Sequence, residues 1–279
     1  MERSVAVEKT GKFIQAGGVK LHYLELGAGD PLICLHGAGP GASAWSNFKH
    51  NVGAFAERYR TFLVDLPQYG QSEKVVIEGG RLTFTARILG AFMEATGLAR
   101  ANFVGNSMGG QVCLKLALDA PQRVGRIVVL GASPISFSVL TPMPVEGVRL
   151  IQRYYRPPEG PTRAKMRALM ETLVFDPAFI TDDMVEERYA ASIDPESVAL
   201  FTRKPPQNED LFADLGKIAA PTLIVWGQDD RFGALEVGLL MLKRLQHARM
   251  VVFPRCGHWA HVERVQEFNH LVLDFLSGH

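Results

Sequence analysis

The sequence predicts an α/β fold: a mostly parallel sheet with helices on both faces, interrupted by an inserted helical segment. Short apolar runs bounded by turn residues recur along the chain, and stretches with helical spacing of apolar residues alternate with them. Between residues 134 and 205 this rhythm stops, and helical pieces, prolines and the methionines Met143, Met166, Met170 and Met184 take its place.

In chain order, residues 18–26 alternate apolar and polar and predict one half of an antiparallel edge hairpin. Strands are predicted at residues 31–35, 61–65, 102–105, 126–131, 221–226 and 249–253, most of them nearly continuous in apolar residues, as parallel strands covered on both faces are. Helices are predicted at 82–96, 108–118, 235–245 and 262–275. A strandless stretch as long as 134–205 is uncommon as a plain loop, and lids over active sites are a frequent reason for one. The expected organisation is therefore a core in two parts, 1–133 and 206–279, with a helical lid over 134–205.

The composition is that of a soluble globular domain, with 47% hydrophobic and 21% charged residues. Thirty basic and twenty-nine acidic residues give a net charge of +1 with no long run of one sign, which argues against a nucleic-acid partner. No apolar stretch approaches the roughly 18 residues that span a bilayer, so no membrane partner is expected. The first residues are charged (Glu2, Arg3, Glu8, Lys9) without an apolar leader core, and a cytoplasmic protein is the expectation. Cys34, Cys113 and Cys256 are far apart and lodged in apolar segments, which predicts buried thiols and neither disulfides nor a metal site.

Gly105-Asn106-Ser107-Met108-Gly109 fits G-x-S-x-G, and the pattern gains weight from its setting, because a predicted strand runs into it and a predicted helix runs out. A serine hydroxyl is a poor nucleophile at neutral pH and needs a base oriented by a carboxylate. Two more loops after strands supply them: Asp230 follows the strand at 221–226, and His258 follows the strand at 249–253. Singly, Asp230 would read as a helix cap and His258 as an ordinary turn histidine. Together, in the order Ser, Asp, His, they read as the triad Ser107, Asp230 and His258 of an α/β-hydrolase fold.

The glycine-rich stretch His36-Gly37-Ala38-Gly39-Pro40-Gly41 after the strand at 31–35 is expected to form the oxyanion hole, with backbone N–H groups of Ala38 and Met108 as donors. A phosphate cradle is the rival reading of any such loop, but neither G-K-[ST] nor G-x-G-x-x-G is present. Asp65 precedes the nucleophile and reads as a structural loop residue.

With these residues assembled, the chain resembles the meta-cleavage product hydrolases, the carbon–carbon bond hydrolases of bacterial aromatic degradation. The resemblance covers nearly the whole chain and is most specific at HGAGPGASAWSNF (36–48), GNSMGG (105–110), WGQDDRF (226–232) and CGHW (256–259). PMPVEG (142–147) and Arg188 look like the family's lid elements. The match at WGQDDRF selects Asp230 over Asp229, and Ala38 stands where related enzymes often carry glycine.

The resemblance implies hydrolysis of the C5–C6 bond of 2-hydroxy-6-oxohexa-2,4-dienoates, through ketonisation and an acyl-enzyme on Ser107, without metal or cofactor. It implies an anionic dienoate held by Arg188 through its carboxylate, with Gly37, Gly39, Asn47, Asn106 and Trp259 in the binding site. It also implies a homo-oligomer, dimer or larger. Read without the family, Arg188 would be one end of an exposed helical ion pair. The apolar residues Phe137, Met143, Leu150, Met170, Leu173 and Phe175 are candidates for the pocket around the C6 substituent. Two other functions use the same fold: an ordinary ester hydrolase with this triad, and a small-molecule receptor with negligible turnover. A dehalogenase would need a carboxylate at position 107.

Overall fold

The computed structural model describes residues 11–278, so the reading of the charged first ten residues lies outside it. The chain opens with a hairpin of β1 (Lys12–Ala16) and β2 (Val19–Leu26), joined through Gly17 and Gly18, both at positive φ as a tight hairpin turn requires. There follow β3 (Pro31–Leu35), α1 (Ala44–Phe48), α2 (Val52–Ala56), β4 (Arg60–Val64), α3 (Arg81–Ala95), β5 (Ala101–Asn106), α4 (Met108–Asp119) and β6 (Val124–Leu130). Four helices come next: α5 (Glu146–Tyr154), α6 (Arg163–Glu171), α7 (Asp182–Ser192) and α8 (Pro195–Phe201). The chain closes with β7 (Thr222–Gly227), α9 (Leu235–Arg244), β8 (Ala248–Phe253), α10 (Ala260–Glu263) and α11 (Val265–Ser277).

The eight strands form one sheet in the order β1-β2-β4-β3-β5-β6-β7-β8. It is parallel from β4 to β8, and the hairpin attaches antiparallel at one edge through β2 and β4. The α/β-hydrolase architecture expected from the sequence is the one observed.

Successive side chains of the inner strands enter two different cores, as a period of two demands. Ile33, Leu35, Phe103, Ile127, Val129, Ile224 and Trp226 join Phe92, Val112 and Met241 from α3, α4 and α9 on one face. Their neighbours Leu32, Cys34, Val104, Val128, Leu130, Leu223 and Val225 join Phe48, Phe55, Phe268 and Phe275 on the other. Burial on both faces is why these strands read as continuous apolar runs. All three cysteines are buried and unpaired, and burial pushes their thiols up.

One element departs from its sequence pattern. The single helix expected over 262–275 is broken at Arg264, where φ is −122 and ψ is 44. Glu263 reaches back to accept from the amides of Gly257 (2.7 Å) and Phe175 (2.8 Å), and Arg264 donates to the carbonyl of Pro254 (2.9 Å). These bonds outweigh helix continuity and fix the turn that carries His258.

The helices between β6 and β7 have a small core of their own, built on Tyr154, Met166, Leu169, Met170, Val174 and Val185. Trp259, from the turn after β8, and Val262, from α10, complete that core. The inserted segment is thereby packed on the turn that follows His258.

Candidate active site

The passage from β5 to α4 is the tightest turn of the fold. Ser107 sits in it at φ 51 and ψ −117, a strained conformation for a residue with a side chain. The glycines two positions either side are needed because backbone crosses there. A Cβ on Gly105 would lie 2.5 Å from the amide nitrogen of Gly110, and one on Gly109 would lie 2.2 Å from the carbonyl oxygen of Leu35. Gly109→Ala is therefore expected to cost about 3 kcal/mol by overpacking against rigid backbone. In thermal denaturation that lowers Tm by roughly 6 °C or more; an unchanged Tm would contradict so close a crossing.

Behind the elbow, Asp230 and His258 are joined. His258 Nδ1 lies 2.7 Å from Asp230 Oδ2, and both side chains are almost completely buried. The second oxygen of Asp230 accepts from the amides of Phe232 (2.6 Å) and Gly233 (2.9 Å), so its lone pairs are held in place. Trp226 Nε1 donates to the carbonyl of Gly233 (3.1 Å) and ties the same loop to β7. Asp229, by contrast, is exposed. With its Nδ1 proton donated to the carboxylate, the His258 ring leaves Nε2 as a free acceptor. The Phe232 ring stacks on that of His258 at 5.0 Å and 30°. Phe232 lay inside the quoted WGQDDRF motif without an assigned role.

Ser107 and His258 line one cavity of about 480 Å³. Gly37, Ala38, Asn47, Asn106, Met108, Arg188 and Trp259 share its walls, so nearly all the residues singled out from sequence come together. Gly39 does not line the cavity; it lies against Arg188. Asn47 Oδ1 accepts from the amide of Gly37 (3.2 Å), and Asn106 Nδ2 donates to the carbonyl of Leu130 (3.3 Å), which fixes both amides at the wall. Met108 occupies the first position of α4, where a helix leaves the amide without an internal partner.

Arg188 is the unusual wall residue. It is 6% exposed, its Nε donates to the carbonyl of Pro40 (3.0 Å), and its guanidinium lies 5.2 Å over the Trp259 ring. Nη1 is buried without any hydrogen-bond partner, and no carboxylate forms an ion pair with the residue among those described. Burial pushes its pKa down to about 10. The exposed ion pair suggested by its helical neighbours does not form, because Glu187 pairs with Lys49 and Glu186 with Arg163.

Of the apolar candidates for the substituent pocket, Met143 and Leu173 line the cavity. Phe137 instead meets Phe212 edge-on, Phe175 lies under Arg255, and Leu150 and Met170 belong to the core of the inserted helices. Val148 and Ile151 line the wall and were not singled out from sequence.

Two other buried histidines are structural. His36 accepts from the amide of Leu66 at Nε2 (3.0 Å), leaving Nδ1–H to donate to the carbonyl of Gly37 (2.8 Å). His261 is wedged between Phe48 and Phe268. Burial lowers both pKa values, that of His261 to about 3. An unfolded histidine takes up its proton near the ordinary value of 6.5, so between there and about 3 the unfolded chain binds more protons than the folded one. Stability contributed by these groups is present above that window and falls with pH inside it. At pH 5 the expected loss from His261 alone is about 2 kcal/mol, seen as a fall in Tm between pH 7 and pH 5; a flat profile would contradict it. Asp65, read as structural, is buried and holds His22 Nδ1 (2.8 Å) and the amides of Ala44 (2.7 Å) and Gln71 (2.9 Å).

The α/β hydrolase fold family matches residues 30–265. The 2-hydroxy-6-oxononadienedioate/2-hydroxy-6-oxononatrienedioate hydrolase of Paraburkholderia xenovorans (strain LB400) is 39% identical, over 98% of this chain and 98% of that protein. The 2-hydroxy-6-oxo-6-phenylhexa-2,4-dienoate hydrolase of Burkholderia cepacia is also 39% identical, over 93% of this chain and 92% of that protein. Among solved structures, the meta-cleavage product hydrolase from Pseudomonas fluorescens IP01 superposes with a TM-score of 0.87 at 30% identity, covering 96% of this chain and 97% of that one. With the elbow, the Asp230–His258 pair and this similarity along nearly its full length, the chain belongs to the meta-cleavage product hydrolases of the α/β hydrolase fold.

Proposed function

We propose that this protein hydrolyses the C5–C6 bond of 2-hydroxy-6-oxohexa-2,4-dienoates, the ring-fission products of catechols, with Ser107 as nucleophile, His258 as base and Asp230 as the carboxylate that orients it. The observation that carries the substrate class is Arg188, a buried guanidinium with an unpartnered nitrogen in the same cavity as Ser107 and His258. A buried charge without a partner is costly, and an anionic ligand offsets that cost. A neutral ester would leave it unpaired, which favours the dienoate over ester hydrolysis.

The difficulty of the reaction is its carbanionic leaving group. Protonation of the dienolate at carbon comes first, giving a keto form into which the electrons of the breaking C5–C6 bond can flow. Ser107 then adds to the C6 carbonyl while His258 takes its proton, and the amides of Ala38 and Met108 stabilise the oxyanion. Collapse releases 2-hydroxypenta-2,4-dienoate and leaves an acyl group on Ser107. Water activated by His258 hydrolyses that ester to the carboxylic acid. Protein side chains and water suffice, with no metal or organic cofactor. Arg188 holds the C1 carboxylate and the 2-oxo group, and Gly37, Asn47, Asn106 and Trp259 complete that end of the site.

The segment 134–205 acts as the lid over this site, between core parts 1–133 and 206–279. The working protein is cytoplasmic and assembles as a dimer or larger. Among the described residues no helix is long and apolar enough to cross a membrane.

The test is product analysis after incubation with 2-hydroxy-6-oxo-6-phenylhexa-2,4-dienoate. Equal amounts of benzoate and 2-hydroxypenta-2,4-dienoate are expected, at many per enzyme. Turnover of p-nitrophenyl acetate with the dienoate left intact would replace this reading by an esterase.

A further inference from the structure

Two motif residues meet beside the catalytic histidine: Gly147, which closes PMPVEG, and Phe232, which closes WGQDDRF. Gly147 is the second residue of α5 and does not line the cavity, whereas Phe232 does. A Cβ on Gly147 would lie 2.5 Å from Cδ1, Cδ2 and Cε1 of Phe232, so the glycine backbone rests on the face of that ring. The Gly147 amide donates to the carbonyl of Arg231 (3.0 Å), the residue between Asp230 and Phe232, and the Arg231 guanidinium donates in turn to the carbonyl of Glu171 at the end of α6. The inserted segment is thus docked at two points on the loop that carries Asp230.

The Phe232 ring also lies on His258, with centroids 5.0 Å apart and 30° between the planes. Asp230 closes the circuit: its Oδ2 holds His258 Nδ1 (2.7 Å), and its Oδ1 accepts from the Phe232 amide (2.6 Å). Gly131, at φ 55, crowds the imidazole as well, since a Cβ there would lie 2.7 Å from Nδ1 and 2.8 Å from Cε1. A single hydrogen bond through Nδ1 fixes one edge of an imidazole and leaves its tilt free. Packing on the ring removes that freedom. The tilt decides whether Nε2 reaches the Ser107 hydroxyl, and a misplacement of about 1 Å costs on the order of 10²-fold in rate.

We propose that Phe232 is a positioning residue for the reaction: backed by Gly147 of the inserted segment, its ring sets the tilt of His258 so that Nε2 faces Ser107. The proposal rests on the triad reading above and gives the insertion a second task, holding the base in place.

The test compares kcat and KM on 2-hydroxy-6-oxo-6-phenylhexa-2,4-dienoate and on p-nitrophenyl acetate, since both reactions need His258 while only the dienoate fills the cavity. Phe232→Leu is expected to lower kcat about thirtyfold on both substrates, with KM for the dienoate within about threefold of wild type. Phe232→Tyr keeps a flat ring and is expected to retain at least about a third of the wild-type kcat. Gly147 is off the cavity and alanine is the better helix former, yet by pushing the ring aside Gly147→Ala is expected to cost about tenfold in kcat on both substrates. A loss confined to the dienoate through KM, or Gly147→Ala at wild-type kcat, overturns the proposal and leaves Phe232 a wall of the substrate pocket. Should Phe232→Leu fail to fold, Gly147→Ala and Phe232→Tyr decide. If the wild type cleaves only the ester, the carbon–carbon reading fails and the ester rates alone decide the positioning role; if it cleaves neither, the triad reading fails and the positioning role falls with it.

Discussion

Ser107→Ala is expected to lower kcat on a 6-phenyl dienoate by at least about 10⁴-fold, because a triad acts as a unit and its nucleophile has no substitute. Binding should survive. The contacts assigned to the substrate carboxylate belong to Arg188, Asn47, Asn106 and Trp259, and the elbow retains its shape with alanine at its apex. The bound dienoate is therefore expected to change its visible spectrum within the variant without being cleaved. Turnover close to that of the wild type would end the nucleophile assignment, and loss of binding would mean that Ser107 holds the substrate and does not attack it.

Arg188→Gln is expected to cost about 10³-fold in kcat/KM on anionic dienoates, which corresponds to roughly 4 kcal/mol, within the range for removing one partner of a buried charged contact. On p-nitrophenyl acetate, which has no carboxylate for Arg188 to hold, the loss should be far smaller. The split between the two substrates is the informative quantity. Equal losses on both would assign Arg188 a structural role, through its bond to the carbonyl of Pro40 and its packing on Trp259.

The parts of this molecule legible in the sequence are those where local pattern and tertiary structure coincide. Strands such as β3 and β7 are covered on both faces, so nearly every position is apolar and the run is visible without knowing its neighbours. The elbow is visible because two chain crossings, at Gly105 and Gly109, leave no room for a side chain. Asp230 could be found because it follows such a strand, and His258 because it follows β8, an edge strand that is only partly buried yet keeps an apolar run from Met250 to Phe253.

What escaped the sequence was decided by direction. Arg188 sits among acidic residues that suggest an exposed ion pair, and only the pairing of Glu186 with Arg163 and Glu187 with Lys49, both distant in sequence, leaves it turned inward. Phe137 and Met143 are equally apolar, yet one packs on Phe212 and the other lines the cavity. Arg81 reaches the wall with residues 207–209 through a bridge across more than a hundred residues, which no local pattern records.

The central claim, that this triad cleaves a carbon–carbon bond in an anionic dienoate, is tested most directly by stopped-flow absorbance of the wild-type protein mixed with excess 2-hydroxy-6-oxo-6-phenylhexa-2,4-dienoate. Complete loss of the yellow band over many turnovers is the predicted result. A band that persists at equimolar enzyme, while the same preparation hydrolyses p-nitrophenyl acetate, would contradict it.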